Sequence, residues 1–381
     1  MARTWAKRVG WGVGGAVLAL AAYLAAWPVP IEPMAWSAPA APGYQGLHAP
    51  NQRLARLNII DLKGEVGPEH VAFGKDGKLY TTVLSGNILR MNADGSGLEV
   101  FANTGGRVLG FDFDAAGHLI AADAIKGLLS IAPDGKVTVL ADKVGNDPIR
   151  YADAVVVAQN GKMYLSDAST RFAPKDWGGT FEASVLDILE QASTGRVIEY
   201  DPTTRATRVV ARGLSFANGV ALSQDEKHLF VNETGKYRVW KIAVDANDLD
   251  IGQLNGSTSS QPSPQARVLL DNLPGYPDNL LRGQGGKVWL GFAKPRGAAI
   301  DNMSGKPWLR SLTLRLPRAL WPIPQPYGHV IAFTDEGKVV ADLQDPSGAY
   351  PETTAITETA DRLYVQSLHA HGLGWLPKPQ P

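Results

Sequence analysis

The chain contains no cysteine, which excludes disulfides and thiolate metal sites and leaves the redox compartment undetermined. It has no excess charge: 37 basic residues balance 37 acidic ones. The basic footprint of a nucleic-acid-binding surface is therefore missing, and the aromatic residues are not set among basic patches. What it has is hydrophobic content of 44% and 41 glycines in 381 residues, a balance that suits a packed, turn-rich globule. That length could hold two average domains, but it equally suits one repeat-built all-β domain.

Residues 151–167, YADAVVVAQNGKMYLSD, read as a complete hairpin. Val155, Val156 and Val157 favour a strand, Asn160-Gly161 signals a tight turn, and Lys162 to Ser166 return antiparallel. Asp153 is out of place, a carboxylate at the mouth of an apolar strand, eight positions before the turn glycine Gly161. The same offset separates Glu69 from Gly77, Asp278 from Gly286, Asn218 from Glu226 and Leu109 from Gly117, and more loosely Thr354 from Arg362. Hairpins repeated in one register put equivalent residues at one level around a common axis, which predicts a six-bladed β-propeller. Four of the six residues, Glu69, Asp153, Asn218 and Asp278, offer oxygen atoms, and three of those four are carboxylates. Carboxylates facing one another repel, and a hard cation on the axis is the simplest remedy.

The N terminus carries Arg3, Lys7 and Arg8 before a charge-free run over residues 9–27, with Trp5, Trp11 and Trp27 near its ends. This pattern predicts a single transmembrane helix with the remainder on the periplasmic or extracytoplasmic side. A cleaved signal peptide is the rival reading, but Tyr23 and Leu24 occupy positions that want small residues for cleavage. The expected organisation is an anchor over residues 1–28, a Pro- and Ala-rich tether over 29–52 and the propeller over 53–381, with a lone strand near residues 56–62 completing the last blade. Spacing between blades grows where insertions fall. Residues 171–193 carry Val185, Leu186, Ile188 and Leu189 on a helical stripe, as a short lid helix would. Residues 245–265 read as a polar surface loop. Residues 293–327 mix Arg310, Arg315 and Arg318 with Leu, Trp and Pro, and could cover the site, meet a membrane surface or pack on their own blade.

Several segments resemble the strictosidine-synthase-like branch of the superfamily that also holds senescence marker protein, gluconolactonases and paraoxonases. They are RVLGFDFDAAGHLIAADAIKGLL, MYLSDASTRF, GRVIEYDPTTRATRVVARGLSFANGVALS, LFVNET, LPGYPDNL and HVIAFTDEGKVVADLQDPSG. The resemblance implies calcium or a related divalent metal in the central channel and hydrolysis of lactones or aryl esters. It is similar, too, to a membrane-anchored member on animal cells. By position, the family's metal ligands fall on Glu69, Asp153, Asn218 and Asp278, and a further ligand of the paraoxonase branch falls on Asn279. This chain departs from the family at Asp153-Ala154, where many relatives read Asn-Asp. It departs again near Thr354, where true strictosidine synthases carry their glutamate, and this disfavours alkaloid formation. The region of the paraoxonase histidine pair reads Val108-Leu109-Gly110.

An oxygen-only set suits Ca²⁺ better than Zn²⁺, with Mn²⁺, Mg²⁺ and adventitious Zn²⁺ as the alternatives. Such an ion polarises a carbonyl, and Asp153 or Asp278 is the candidate base for the attacking water. The alternative is a non-catalytic, calcium-stiffened propeller that presents loops to a partner. Asp112 and Asp114 read as ordinary strand and turn patterning, and His70 should face away from Glu69 across its strand. His369 and His371, at His-x-His spacing without a third ligand, read as exposed polar residues. Arg107, Tyr151, Tyr276 and Tyr327 fall near blade mouths.

Overall fold

A computed structural model describes residues 2–256 and 263–378. Six antiparallel sheets stand around a common axis. Their innermost strands are Val71–Phe73, Val108–Phe113, Ala152–Val157, Ala217–Leu222, Gly275–Arg282 and Thr353–Glu358. Each blade then steps outward strand by strand, and the third gains a short parallel edge strand, Leu249–Asp250. The ring closes as its sequence predicts: Asn58–Ile60 pairs with Leu373–Pro377, setting Ile60 opposite Leu373, so the first strand of the propeller is the outer strand of its last blade.

The alternation of strand side chains fills the gaps between blades. Ile60, Leu62, Val71, Leu79, Leu89, Met91, Tyr364 and Leu373 form one such cluster, at the seam where the sixth blade meets the first. Near the axis the inner strands approach closely. A side chain at Gly219 would meet the backbone of Asp278 and Leu280 at 2.5 Å, so only glycine fits beside Asn218.

Two insertions roof one end of the channel. Residues 171–193 contain the helix Thr180–Glu190, which buries Ala183, Leu186 and Leu189. Residues 293–327 contain a second helix, Pro307–Arg315. Its Arg310 is 1% exposed and donates to the Leu189 carbonyl at 2.8 Å and to the Met34 and Ser304 carbonyls, riveting the two covers together. The predicted polar loop over 245–265 holds Leu249–Asp250 and the short helix Ile251–Gly256, and its residues 257–262 lie outside the described residues.

The N terminus requires a correction. A helix does form, over Ala2–Ala26, but no helix among the described residues is long and apolar enough to cross a membrane. From residue 11 onward its apolar character comes largely from alanine and glycine, with strongly apolar aliphatic side chains only at Val13, Val17, Leu18, Leu20 and Leu24. The expected transmembrane anchor, and the membrane partnership and extracytoplasmic placement inferred from it, are withdrawn. The segment after the helix is fastened to the propeller. Ile31 is buried against the lid helix, and Met34 N–H donates to the Glu190 carbonyl at 2.7 Å. Further on, Asp342 Oδ2 accepts from His48 Nδ1 at 2.7 Å and from His329 Nε2 at 3.1 Å, while Tyr44 stacks on Tyr327.

Candidate functional site

The residues selected by hairpin register are the ones that break the sheet register. Antiparallel pairing slips between Val108 and Gly110, Ala152 and Val155, Ala217 and Val220, Pro277 and Leu280, and Thr353 and Ile356. These intervals hold Leu109, Asp153, Asn218, the pair Asp278-Asn279, and Thr354. A bulge leaves a residue out of the ladder and re-aims its side chain, so the irregularity is the device that positions the site. In the first blade Glu69 precedes the strand, its N–H donating to the Thr82 carbonyl at 3.3 Å.

Glu69, Asp153, Asn218 and Asp278 line one cavity of about 240 Å³ and are only 5–6% exposed. The register residue Thr354 and Asn279, expected as a further ligand, serve differently. Asn279 Nδ2 and Thr354 Oγ1 both donate to the Glu69 backbone carbonyl, at 3.2 and 2.7 Å. Neither belongs to the cavity lining. They fix Glu69 from the fifth and sixth blades, and the position expected to carry a synthase glutamate is a buried hydroxyl.

Electrostatics divides the three carboxylates. Glu69 is paired with Arg107, whose guanidinium also donates to the Val83 carbonyl. Burial raises the Glu69 pKa, and Arg107 opposes the rise. Asp278 has no cation among the groups acting on it. Burial lifts its carboxyl well above the ordinary range, Asp153 and Glu69 push it further, and the Asn218 amide pulls the other way. Burial likewise lifts Asp153, Glu69 adds to it, and Arg107 relieves it in part. The Asn218 Oδ1 atom is buried without a hydrogen-bond partner among the described residues. An orphaned amide oxygen beside two mutually repelling carboxylates fits a hard, oxygen-liganded cation such as calcium.

The rest of the cavity is apolar. Phe181, Val185, Ile188 and Leu189 of the lid helix face Phe216, Ile300, Trp321 and Ile323. The helical stripe at 185–189 therefore reports a lid, except that Leu186 turns into the core. Arg107, Tyr151 and Tyr276 line the cavity as their blade-mouth positions suggest. Tyr327 is not among the lining residues and instead donates to Gln344 Oε1 at 2.6 Å. His70 is buried against Phe111, its pKa lowered by burial to about 4, and is absent from the lining. Asp114 Oδ1 accepts from the N–H groups of Ala116 and His118, closing an ordinary turn. Asp112 accepts from Val157 N–H at 2.9 Å and ties blade two to blade three.

Sequence reading missed one group. His369 lines the cavity together with Glu352 and Lys294, and Glu352 accepts from both of them. The signal was available, since Glu352 lies two residues before the register position Thr354 and is the acidic residue nearest the sixth blade mouth.

The strictosidine synthase family model matches residues 153–247, and the model of the strictosidine synthase-like N-terminal region matches residues 46–91. Strictosidine synthase-like protein 7 of Arabidopsis thaliana is 37% identical over 292 residues, covering 74% of this chain and 70% of that protein. This chain belongs to the strictosidine synthase-like family. The adipocyte plasma membrane-associated protein of Salmo salar is also similar to this strictosidine synthase-like chain, at 30% identity over 84% of it and 77% of the relative. A solved gluconolactonase of Xanthomonas campestris shares the fold, with a TM-score of 0.59 at 17% identity, covering 92% of this chain and 99% of that one. A calcium-binding regucalcin of Agrobacterium tumefaciens does so at 0.55 and 14% identity, covering 84% and 92%. The propeller fold of this strictosidine synthase-like protein is thus shared with both of those solved structures.

Proposed function

We propose that this protein is a calcium-dependent hydrolase of lactones or aryl esters. The observation that carries the reading is the pair of buried carboxylates, Asp153 and Asp278, each raised by burial and by neighbouring carboxylates, beside the Asn218 Oδ1 that has no partner among the described residues, in a covered apolar cavity. Glu69, Asp153, Asn218 and Asp278 would hold the ion. Bound calcium supplies positive charge that polarises a carbonyl and favours the oxyanion formed on attack. The lid side chains hold the apolar body of the substrate and keep bulk water from the carboxylates. Asp153 or Asp278, where an oxygen is left free, can accept a proton from water. The likeness of fold to a gluconolactonase and to a calcium-binding regucalcin supports both halves of the reading. Thr354, a buried hydroxyl with its proton given to the Glu69 carbonyl, supplies no carboxylate for amine-aldehyde condensation.

The test is turnover of phenyl acetate and of alkyl-substituted lactones by the purified protein, with and without chelator. We expect hydrolysis that is abolished by chelation and by Asp278→Asn and restored to the parent by calcium. A fall in melting temperature on chelation without turnover on any substrate would instead identify a calcium-stabilised binding module.

A further inference from the structure

At the rim of the same cavity, Glu352 is held in a left-handed backbone conformation, with φ of 53°. Such a conformation is costly for a residue with a Cβ and persists only where the surroundings enforce it. It turns the Glu352 carboxylate toward two cavity-lining groups. One oxygen pairs with Lys294 Nζ and the other with His369 Nδ1. His369 itself is fixed at its backbone, its N–H donating to Ser367 Oγ. Its ring is 44% exposed, and Nε2 has no hydrogen-bond partner among the described residues. A carboxylate on Nδ1 sets the tautomer and leaves Nε2 free to take a proton, the arrangement that activates a nucleophile in hydrolases of several folds.

We propose that His369, oriented by Glu352, is the group that moves the proton during hydrolysis at this cavity, an inference that rests on the hydrolase reading. The reasoning is one of availability. Asp153 and Asp278 are 5% and 6% exposed and belong to the set that would hold the cation, which makes a coordinated carboxylate a weaker base, and Glu69 is paired with Arg107. His369 is the lining imidazole, and it is separate from that set. The groups acting on it are Glu352, Glu69 and Lys294. The hydrogen bond from Glu352 raises its pKa most, burial opposes, the two carboxylates add to the rise and Lys294 opposes. In the reaction, Nε2 takes a proton from water as the water oxygen bonds to the carbonyl carbon and the C=O π pair moves onto oxygen. When the carbonyl reforms, the bond to the alkoxy oxygen breaks. That oxygen takes the proton back from Nε2–H, leaving an acid and an alcohol, with the imidazole restored. Glu352 is a positioning residue and touches no reacting atom.

The experiment compares the parent protein with His369→Gln and Glu352→Gln, using phenyl acetate and δ-decalactone in calcium. For His369→Gln we expect kcat to fall on the order of 10²- to 10³-fold with KM little changed. The calcium-dependent rise in melting temperature should be retained, which shows that the fold and the ion site survive. For Glu352→Gln, the acid limb of the kcat/KM profile should move to lower pH. The imidazole pKa followed by NMR should fall with it, a displacement that a merely structural role would not produce. His369→Asn serves as a second variant in case the first perturbs packing. If both histidine variants turn over at the parental rate, or if Glu352→Gln leaves the acid limb and the NMR pKa in place, the assignment is overturned and the base role returns to Asp153 or Asp278. Absence of turnover by the parent overturns the hydrolase reading itself, and the present inference with it.

Discussion

Asp278 and Glu69 are both buried carboxylates, yet only Glu69 has a guanidinium beside it. The difference makes opposite predictions for two substitutions. In chelator, the raised pKa of Asp278 means that its contribution to stability is fully present below the ordinary carboxylate range and is lost as pH rises through its folded value. Asp278→Asn removes that loss, so it should stabilise the calcium-free protein, by on the order of 1 kcal/mol at neutral pH and less at acidic pH. With calcium the sign should reverse, because the substitution removes a charged ligand. Thermal melts in chelator and in calcium, repeated over a pH series, read both effects. Arg107→Gln has the other consequence. It leaves Glu69 buried without a partner, and the calcium-free protein should lose about 3 kcal/mol in urea unfolding. Added calcium should restore much of that loss, since the cation then meets an unpaired carboxylate.

At the level of elements, the parts that were readable from sequence are those whose signal is periodic. Hairpin register placed Glu69, Asp153, Asn218 and Asp278 at one cavity because strands repeat every two residues and turns mark their ends. The stripe at 185–189 exposed the lid helix for the same kind of reason. The pairing of Arg107 with Glu69 had no such mark, since it joins residues 38 apart in sequence on neighbouring blades. Nor had the bond from Glu352 to His369, which depends on a left-handed residue with no glycine to announce it. Tryptophan-flanked apolar sequence misled at the N terminus, where the charge-free run is built largely of alanine and glycine. The covers themselves hang on Arg310 and its carbonyl partners. Arg310→Met should leave those carbonyls unpaired, cost roughly 2–4 kcal/mol and open the roof. Faster hydrogen exchange in Thr180–Glu190 and Pro307–Arg315 would register the opening. The segment over residues 44–53, a strap held to the propeller by Asp342, responds to pH. Burial pushes the Asp342 carboxyl up, but the hydrogen bonds from His329 and His48 outweigh it and hold the pKa well below the carboxylate range. Burial also lowers the His329 pKa. Both shifts favour folding at higher pH. Binding of the strap should be lost first as pH falls through the ordinary histidine range toward the lowered His329 value, and further as Asp342 becomes protonated. Limited proteolysis near residues 46–53 at successively lower pH measures it.

On the scale of the whole molecule, the ring has a seam, and the candidate site straddles it. The sixth blade borrows its outer strand from residues before the first blade, so the ends of the propeller chain are held together by the pairing of Asn58–Ile60 with Leu373–Pro377. Across the same seam Thr354 of blade six bonds the carbonyl of Glu69, which belongs to blade one. Loosening the closure therefore bears on Glu69 more than on the other three residues of the candidate site, Asp153, Asn218 and Asp278. Ile60 is 6% exposed in the seam cluster, whereas its neighbour Ile59 is 51% exposed. Ile60→Ala should cost about 2–4 kcal/mol by leaving a cavity there, and Ile59→Ala less than about 0.5 kcal/mol. Ile131→Ala in the second blade, a fully buried site away from the seam, should cost about as much as Ile60→Ala. The two costly variants should differ in calcium response. Ile131→Ala should keep the parental rise in melting temperature on adding calcium, while Ile60→Ala should show a smaller one, because Glu69 is no longer held in register with Asp153, Asn218 and Asp278. Equal calcium responses in the two variants would show that the ligand set is held within individual blades and does not depend on closure of the ring.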